Sequence, residues 1–214
     1  MSHPALTSAV ASAPRRTVTG RFWHQGPTRH RLTSFADPAV TIGRYHRVGG
    51  RGVWYASDQE QAAWSELFRH FLDDGVDPFE LRRRVGHVDI EDLVVLDLCD
   101  ERIQLSLGVT VDVLVGDDYS TTQEIADAAQ AAGFGGVIAP SAALPGRKTL
   151  VVFESGTNSF HGGISRVRQP PPRIADLLRS IRLHRDVPEA VRGFLDALAL
   201  AGAEAVRRRR RSRP

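Results

Sequence analysis

Three short segments of the sequence carry side chains that could bind or transform a ligand, and the first is rich in glycine and arginine. Residues 43–52 contain four glycines and three arginines, Arg44 among them. A flexible backbone combined with guanidinium forks suits the binding of phosphate or pyrophosphate groups. The spacing of the glycines matches neither a P-loop nor the G-x-G-x-x-G turn of dinucleotide-binding folds. On spacing alone, a surface hairpin loop is the simpler explanation.

The second segment places a carboxylate inside a predicted helix. On a helical wheel, Glu66 lies away from the apolar stripe and shares its side with Ala62 and Ala63. A glutamate in that position is ordinarily a solvated helix residue. A functional role for Glu66 requires that this alanine-lined side of the helix face a cleft.

The third segment is a serine at the end of a short apolar strand. Ser141 lies between Pro140 and Ala142, where a hydroxyl could hydrogen-bond a ligand or simply turn the chain. No G-x-S-x-G elbow surrounds it, so we do not expect a serine nucleophile. The eight histidines show neither H-x-x-x-H nor H-E-x-x-H spacing, and we therefore expect no catalytic metal.

The composition is that of a soluble globular protein. The chain has 214 residues, of which 42% are hydrophobic and 25% charged, and a domain of this length buries enough surface to fold without disulfides or structural metals. It contains no apolar run of the ~18 residues that a membrane span requires and no apolar segment of a secretory signal near its start. Its single cysteine excludes an internal disulfide. These features predict a cytoplasmic protein without membrane contacts.

The positive charge is concentrated at the end of the chain. Residues 173–214 hold 11 arginines and 5 acidic residues, whereas the other 172 residues hold 17 basic and 20 acidic groups. The five-arginine run 207–211 could contact nucleic-acid phosphates. It lacks interleaved aromatic residues, and runs of this kind are usually solvated tails. The tail is therefore weak support for a nucleic-acid-binding function.

Elements of both types separate the chemical segments. Capping boxes, S-x-x-E at 57–60 and T-x-x-E at 121–124, predict helices that extend to about Asp73 and Ala132. Apolar and β-branched runs predict strands at 18–23, 52–56, 93–98, 136–139 and 150–153. Because strands and helices do not alternate steadily, the predicted class is α+β.

Composition divides the chain into four parts. The leader 1–17 is rich in alanine and serine and is expected to be flexible. The main domain, 18–169, ends at the triple proline 170–172, which interrupts regular structure. Beyond it, apolar periodicity predicts a helical C-terminal extension at 173–206, followed by the basic tail 207–214.

The order and spacing of the motifs match a known family pattern. The matching segments are Gly43-Arg44-Tyr45-His46, Gly49-Gly50, Val53-Trp54-Tyr55-Ala56-Ser57, Ala62-Ala63-Trp64-Ser65-Glu66, the helix from Thr122-Gln123 to Gly133, Pro140-Ser141-Ala142 and Leu150-Val151-Val152-Phe153. Together they resemble the RES domain, named for its Arg, Glu and Ser, over residues 18–165. Two positions depart from many members of the family: Tyr45-His46 stands where Trp-Asn is common, and Ala143 stands where arginine is common.

The resemblance implies a fold and a substrate. RES domains are similar to ADP-ribosyltransferases, so we expect a mixed β-sheet core with flanking helices, followed here by C-terminal helices. The implied substrate is NAD, and no metal is needed. Cleavage of the bond between nicotinamide and ribose develops positive charge on the ribose, which a preorganised carboxylate stabilises.

The resemblance also implies catalytic roles for Arg44, Glu66 and Ser141. We expect the Glu66 carboxylate beside the reacting ribose carbon and the Arg44 guanidinium on the pyrophosphate. Ser141 is expected to hydrogen-bond the nicotinamide ribose or the amide. Further substrate contacts, including aromatic stacking, are expected from Tyr45, His46 and Tyr55.

Three functions follow from these observations. The first is an NAD-degrading toxin of a type II toxin–antitoxin pair, held in check by a cognate Xre-type antitoxin, with water or phosphate as acceptor. The second keeps the site but transfers ADP-ribose to a cellular protein. The third is a non-catalytic nucleic-acid-binding protein that uses its arginine tail. The matched Arg44, Tyr55, Glu66 and Ser141 favour an enzyme, whereas the site for the donor NAD does not identify the acceptor.

Overall fold

The computed structural model describes residues 4–73 and 82–168, together with residues 196 and 200. The elements are α1 (Pro4–Ser12), β1 (Arg16–Pro27), β2 (Val53–Ser57), α2 (Glu60–Asp73), β3 (Arg83–Asp97), α3 (Glu101–Leu107), α4 (Val111–Val115), α5 (Ser120–Ala131), β4 (Gly136–Pro140), β5 (Lys148–Phe153), a 3-10 helix (Glu154–Ser159) and β6 (Phe160–Arg168). None of the helices within these described ranges is long and apolar enough to cross a membrane. The predicted C-terminal extension is described only at residues 196 and 200, which are helical, and the triple proline and basic tail lie outside the described residues.

Five of the strands close into a barrel. β1 pairs antiparallel with β3 along nearly its whole length, and β3 continues parallel to β4. β5 pairs antiparallel with both β4 and β2. The circle closes between β2 and β1, where Ser57 is opposite Trp23. β6 lies outside the circle and pairs with residues 83–90 of β3. The predicted α+β class is confirmed, and its sheet is a closed barrel that carries helices.

β3 is much longer than the strand predicted at 93–98. It has 15 residues, and its first half buries Val85, Val88 and Ile90. Polar residues and a glycine separate these apolar positions, so no continuous apolar run marks them in the sequence. Pairing with β1 along one edge and with β6 along the other makes the segment a regular strand.

The barrel strands are buried on both faces. Side chains that point into the barrel form one apolar cluster, consisting of Val18, Phe22, Trp54, Ala56, Val88, Ile90, Leu93, Val95, Ile138, Leu150 and Val152. Alternate residues of the same strands, such as Val53, Val151 and Phe153, pack against the helices in a second cluster, here called the helix-side core. Because side chains alternate between the faces of a strand, strands covered on both faces become continuously apolar. This explains why the sequence predicts β4 and β5 to within two residues.

The first helix is docked on the domain and differs from the flexible leader expected for 1–17. α1 packs against α5, with Val10 fully buried in the helix-side core. Arg15, which follows the helix, donates hydrogen bonds to the carbonyls of Ala132 (2.6 Å) and Gly133 (3.2 Å) at the end of α5. Alanine-rich segments favour helix, but the apolar surface that fixes this one is formed by residues more than a hundred positions away, which local composition does not reveal.

We expect the substitution Val10→Ala to destabilise the whole domain. It removes two methyl groups from a fully buried site and should lower the free energy of unfolding by about 1–2 kcal/mol. Urea or thermal unfolding measures the change. The matched control is Val40→Ala, because the Val40 side chain is 76% exposed. Equal stability of the two variants would mean that α1 does not dock.

Candidate active site

A cavity of about 410 Å³ lies between the open end of the barrel, α2 and the loops around α5. Its polar and aromatic lining consists of Trp23, His24, Gln25, Thr41, Arg44, Tyr45, His46, Tyr55, Ser57, Glu66, Arg69, Arg83, Tyr119 and Thr149. Five of the six site residues predicted from the sequence are in this lining. The sixth, Ser141, contacts the cavity through Glu66.

Glu66 and Ser141 are joined directly. The Ser141 hydroxyl donates a hydrogen bond of 3.0 Å to Oε1 of Glu66. The same hydroxyl oxygen accepts hydrogen bonds from the backbone N–H groups of Ala143 (3.2 Å) and Leu144 (3.1 Å). These two donors fix the hydroxyl so that its own proton points at the carboxylate. The loop after β4 thereby holds one oxygen of Glu66 in place, 75 residues away along the chain.

Helix α2 is buried on more than one side, so the side that carries its alanines is not exposed to solvent. Trp64 and Phe68 of the apolar stripe are fully buried, and the stripe residue Phe71 has a side chain outside the described set. Ala62 and Ala63 on the other side are also buried. Ala63 and Glu66 both line the cavity. The alanine-lined side therefore faces a cleft, which is the condition under which Glu66 differs from a solvated helix residue.

Arg44 lies in the same cavity and is held by neutral acceptors. Its Nη1 donates to the carbonyls of Leu114 (3.2 Å) and Gly116 at the end of α4. Its guanidinium carbon lies 4.6 Å from the centre of the Tyr119 ring, a cation–π distance. The Arg44 carbonyl accepts a hydrogen bond of 2.6 Å from Thr122. No carboxylate is among these contacts, so they leave the positive charge of Arg44 uncompensated.

The turn that carries Arg44 is built around the hydroxyl of Tyr55. That oxygen accepts a hydrogen bond of 3.0 Å from the Tyr45 N–H and lies 2.9 Å from Nδ1 of His46. A Cβ at Gly43 would come within 2.8 Å of the same oxygen, which explains the glycine before Arg44. Burial raises the pKa of Tyr55, so the hydroxyl keeps its proton. Tyr55 and His46 thus shape the cavity wall in addition to lining it.

Tyr45 has a buried hydroxyl with no protein partner among the described residues. The side chain is only 1% exposed, and burial raises its pKa, with the charge of Arg44 acting in the opposite direction. A buried neutral hydroxyl without a hydrogen bond is costly. The hydroxyl oxygen is itself inaccessible to solvent, so Tyr45 lines the cavity through its other atoms.

Several polar residues of the site were not predicted as site residues from the sequence, and three of them have distinct roles. Arg69 lines the cavity one turn after Glu66 on α2, a spacing of three that places both side chains on one side of a helix. Gln123 donates through Nε2 to the carbonyls of Gly43 (2.9 Å) and His46 (3.1 Å) and fixes the arginine turn to α5. Arg83 begins β3, and burial lowers its pKa to about 10. Arg69 could have been predicted from its position three residues after Glu66 on the same helix. No local feature of the sequence identifies Arg83 as a site residue.

A family model, a sequence relative and a solved structure are all similar to this chain. The model of the RES domain family matches residues 13–175. A protein of Mycobacterium tuberculosis (strain ATCC 25618 / H37Rv) named "Probable NAD(+) phosphorylase Rv3189" is 60% identical over 206 residues, which are 96% of this chain and 99% of that protein. A chain from the crystal structure of the M. tuberculosis MbcT–MbcA toxin–antitoxin complex superposes with a TM-score of 0.67 at 22% identity, covering 85% of this chain and 99% of its own. The last likeness shows a shared fold.

The burial of His24 predicts a loss of stability in mild acid. Its Nδ1 lies 2.6 Å from the Tyr55 carbonyl, its ring stacks on Trp54, and burial lowers its pKa from 6.5 to about 4. Between these values the unfolded chain binds the proton and the folded chain does not, so stability falls as pH falls from about 6.5 to 4. We expect a contribution of about 1–2 kcal/mol over this window, allowing for the partial exposure of His24.

Urea unfolding at several pH values measures this contribution. His24→Asn keeps an N–H donor for the Tyr55 carbonyl but does not titrate, so its stability should depend less steeply on pH than that of the wild type. His30→Asn replaces an exposed histidine and serves as the control. A wild-type slope in the His24→Asn protein would contradict the assignment.

Proposed function

The chain belongs to the RES domain family, and from that premise we propose that it cleaves the bond between nicotinamide and ribose in NAD and transfers the ADP-ribosyl group to phosphate. The observation that carries this proposal is the Glu66 carboxylate, oriented by Ser141 and facing a cavity lined by three arginines. The relative with 60% identity, named as a probable NAD(+) phosphorylase, supports phosphate as the acceptor.

Cleavage of the bond between nicotinamide and ribose is favoured by a carboxylate beside the ribose carbon C1′. As the bond from C1′ to the pyridinium nitrogen breaks, positive charge spreads over C1′ and the ring oxygen, while nicotinamide leaves as a neutral molecule. A fixed negative group stabilises that charge without having to reorganise during the reaction. The hydrogen bond from Ser141 supports this role for Glu66, because it prevents the carboxylate from turning away from the cavity. We therefore assign Ser141 first to the positioning of Glu66, and contact with the ribose or amide second.

Arginine and tyrosine groups complete the proposed substrate site. Arg44 carries a positive charge that its carbonyl partners do not neutralise, which suits the NAD pyrophosphate. Tyr45 also lines the cavity and is proposed to contact the substrate through atoms other than its inaccessible hydroxyl. Tyr55 and His46 line the cavity next to them and complete the contacts to the nicotinamide end. The same arrangement supports an ADP-ribosyltransferase-like architecture, with the donor bound at the open end of the barrel.

The biological role we propose is that of a toxin in the cytoplasm. The superposed chain comes from a toxin–antitoxin complex, and an enzyme that degrades NAD needs an inhibitor in the cell that makes it. The partner of this chain is proposed to be a cognate Xre-type antitoxin. A segment of such a partner that fills the cavity would prevent NAD from binding without changing the catalytic groups.

Turnover of NAD by the purified protein tests the reaction. With phosphate present, we expect nicotinamide and ADP-ribose 1-phosphate in equal amounts, identified by mass spectrometry. Glu66→Gln keeps an oxygen that can accept from Ser141 but loses the charge, and should reduce kcat about 100- to 1000-fold. The control is Glu101→Gln, an exposed residue of α3. Wild-type turnover by a folded Glu66→Gln protein would contradict the proposed role of the carboxylate. Transfer of ADP-ribose to a protein acceptor alone would favour the ADP-ribosyltransferase alternative.

Expression in a bacterium tests the biological role. We expect the wild-type protein to lower cellular NAD and arrest growth, and the cognate antitoxin to reverse both effects. Glu66→Gln at the same expression level should do neither, because toxicity is attributed to NAD cleavage. If Glu66→Gln arrests growth while NAD stays constant, toxicity comes from another activity, and nucleic-acid binding by the arginine tail becomes the better explanation.

A further inference from the structure

Arg69 is a buried cation at the wall of the cavity, on the same helix as Glu66. Its side chain is 7% exposed. Nη1 donates to the carbonyl of Ala142, and Nη2 donates to the carbonyl of Val115 at 3.4 Å and to the carboxylate of Asp117. The guanidinium therefore connects α2 with the loop after β4 and with the loop that precedes α5.

Arg69 and Glu66 face the same loop, side by side. Glu66 accepts from Ser141, and Arg69 donates to the carbonyl of the next residue, Ala142. A separation of three on a helix places their Cβ atoms about 5–6 Å apart. Both side chains line the cavity, so an anion held by Arg69 on its cavity side would share the cavity with Glu66.

The carboxylate on Arg69 is weakly held by the rest of the protein. The Asp117 side chain is 82% exposed, whereas its partner is almost fully buried. Asp117 lies in the short turn between α4 and α5. An ion pair with one solvated partner contributes little to stability, so another anion can replace this carboxylate at small cost.

Arg69 therefore lines the cavity, whereas its anionic partner Asp117 belongs to a solvated turn and is not among the lining residues. We propose that Arg69 binds the acceptor phosphate, and that the Asp117 carboxylate occupies the phosphate position when no phosphate is bound. This inference rests on the proposed phosphorolysis of NAD. It assigns the acceptor to Arg69 and leaves the pyrophosphate of the donor to Arg44.

A phosphate that approaches Glu66 needs a cation beside it, because both groups are negatively charged. Hydrogenphosphate carries two negative charges and must approach a carboxylate that carries another. The positive charge of Arg69 offsets the repulsion from Glu66, and the Nη2 that pairs with Asp117 would donate a charge-assisted hydrogen bond to a phosphate oxygen. An oxygen of the bound hydrogenphosphate forms the bond to C1′ as the bond from C1′ to nicotinamide breaks. The electron pair of the broken bond stays on the nicotinamide nitrogen, and the phosphate monoester later releases its proton to solvent.

The test compares a variant that lacks the Asp117 carboxylate with one that lacks the carboxylate of the next residue, Asp118. Initial rates are measured against inorganic phosphate at saturating NAD, and against NAD at saturating phosphate, for the full chain. Asp117→Asn removes the competing anion and should lower the KM for phosphate about two- to fivefold, the ratio expected for an ion pair with one exposed partner. The KM for NAD should change less than twofold. Asp118→Asn removes the same charge from the next residue, which pairs with the Ser120 N–H instead, and should leave both KM values unchanged.

A second variant changes the same KM in the opposite direction. Arg69→Lys keeps the charge but loses the fork, and should raise the KM for phosphate at least about tenfold while increasing the share of ADP-ribose formed with water. Should Arg69→Lys fail to fold, the comparison of Asp117→Asn with Asp118→Asn decides alone. An unchanged KM for phosphate in Asp117→Asn, or a parallel change in the KM for NAD, would overturn the inference while phosphorolysis by the wild type still stands. Absence of phosphate-dependent turnover in the wild type would instead refute the proposed function.

Discussion

The closure of the barrel through β3 is the constraint on which the rest of the structure depends. This strand is paired along one edge with β1 and along the other with β6 and then β4. Once it is in place, β5 and β2 complete the circle. β2 leads directly into α2, and β4 leads directly into the loop of Ser141. Glu66 and Ser141, which are joined by a hydrogen bond, therefore follow two strands that both pair with β5, although the two residues are far apart in the sequence.

The electrostatics of the cavity follow from how its arginines are satisfied. Buried cations need hydrogen-bond acceptors, and the acceptors of Arg44 are backbone carbonyls near the end of α4. Arg69 shares this strategy through the carbonyls of Ala142 and Val115, although it also pairs with the exposed carboxylate of Asp117. Carbonyl oxygens satisfy the N–H groups without cancelling the charge. The acidic balance of the chain outside its tail can thus coexist with a positive cavity suited to a substrate rich in phosphate.

The sequence predicts some levels of this structure well and others poorly. Strands covered on both faces, such as β4 and β5, are continuous apolar runs and are predicted almost completely. β6 and the first half of β3 depend on pairing with distant partners and have no local pattern, and the same is true of the docking of α1. The S-x-x-E pattern at 57–60 predicted the helix α2, but α2 begins at Glu60 and Ser57 is the last residue of β2. Periodicity alone assigned Glu66 to solvent. Only the family resemblance identified Glu66 as a site residue, because the residues that face it across the cleft lie far along the chain.

The closure of the barrel is uneven. β1 and β3 share eleven register positions, whereas β1 and β2 share one, between Trp23 and Ser57. Both of those residues line the cavity. Backbone amides along this seam have little ladder to break, so they should exchange with solvent far sooner than those between β1 and β3. We therefore expect the least stable part of the barrel wall to lie beside the cavity.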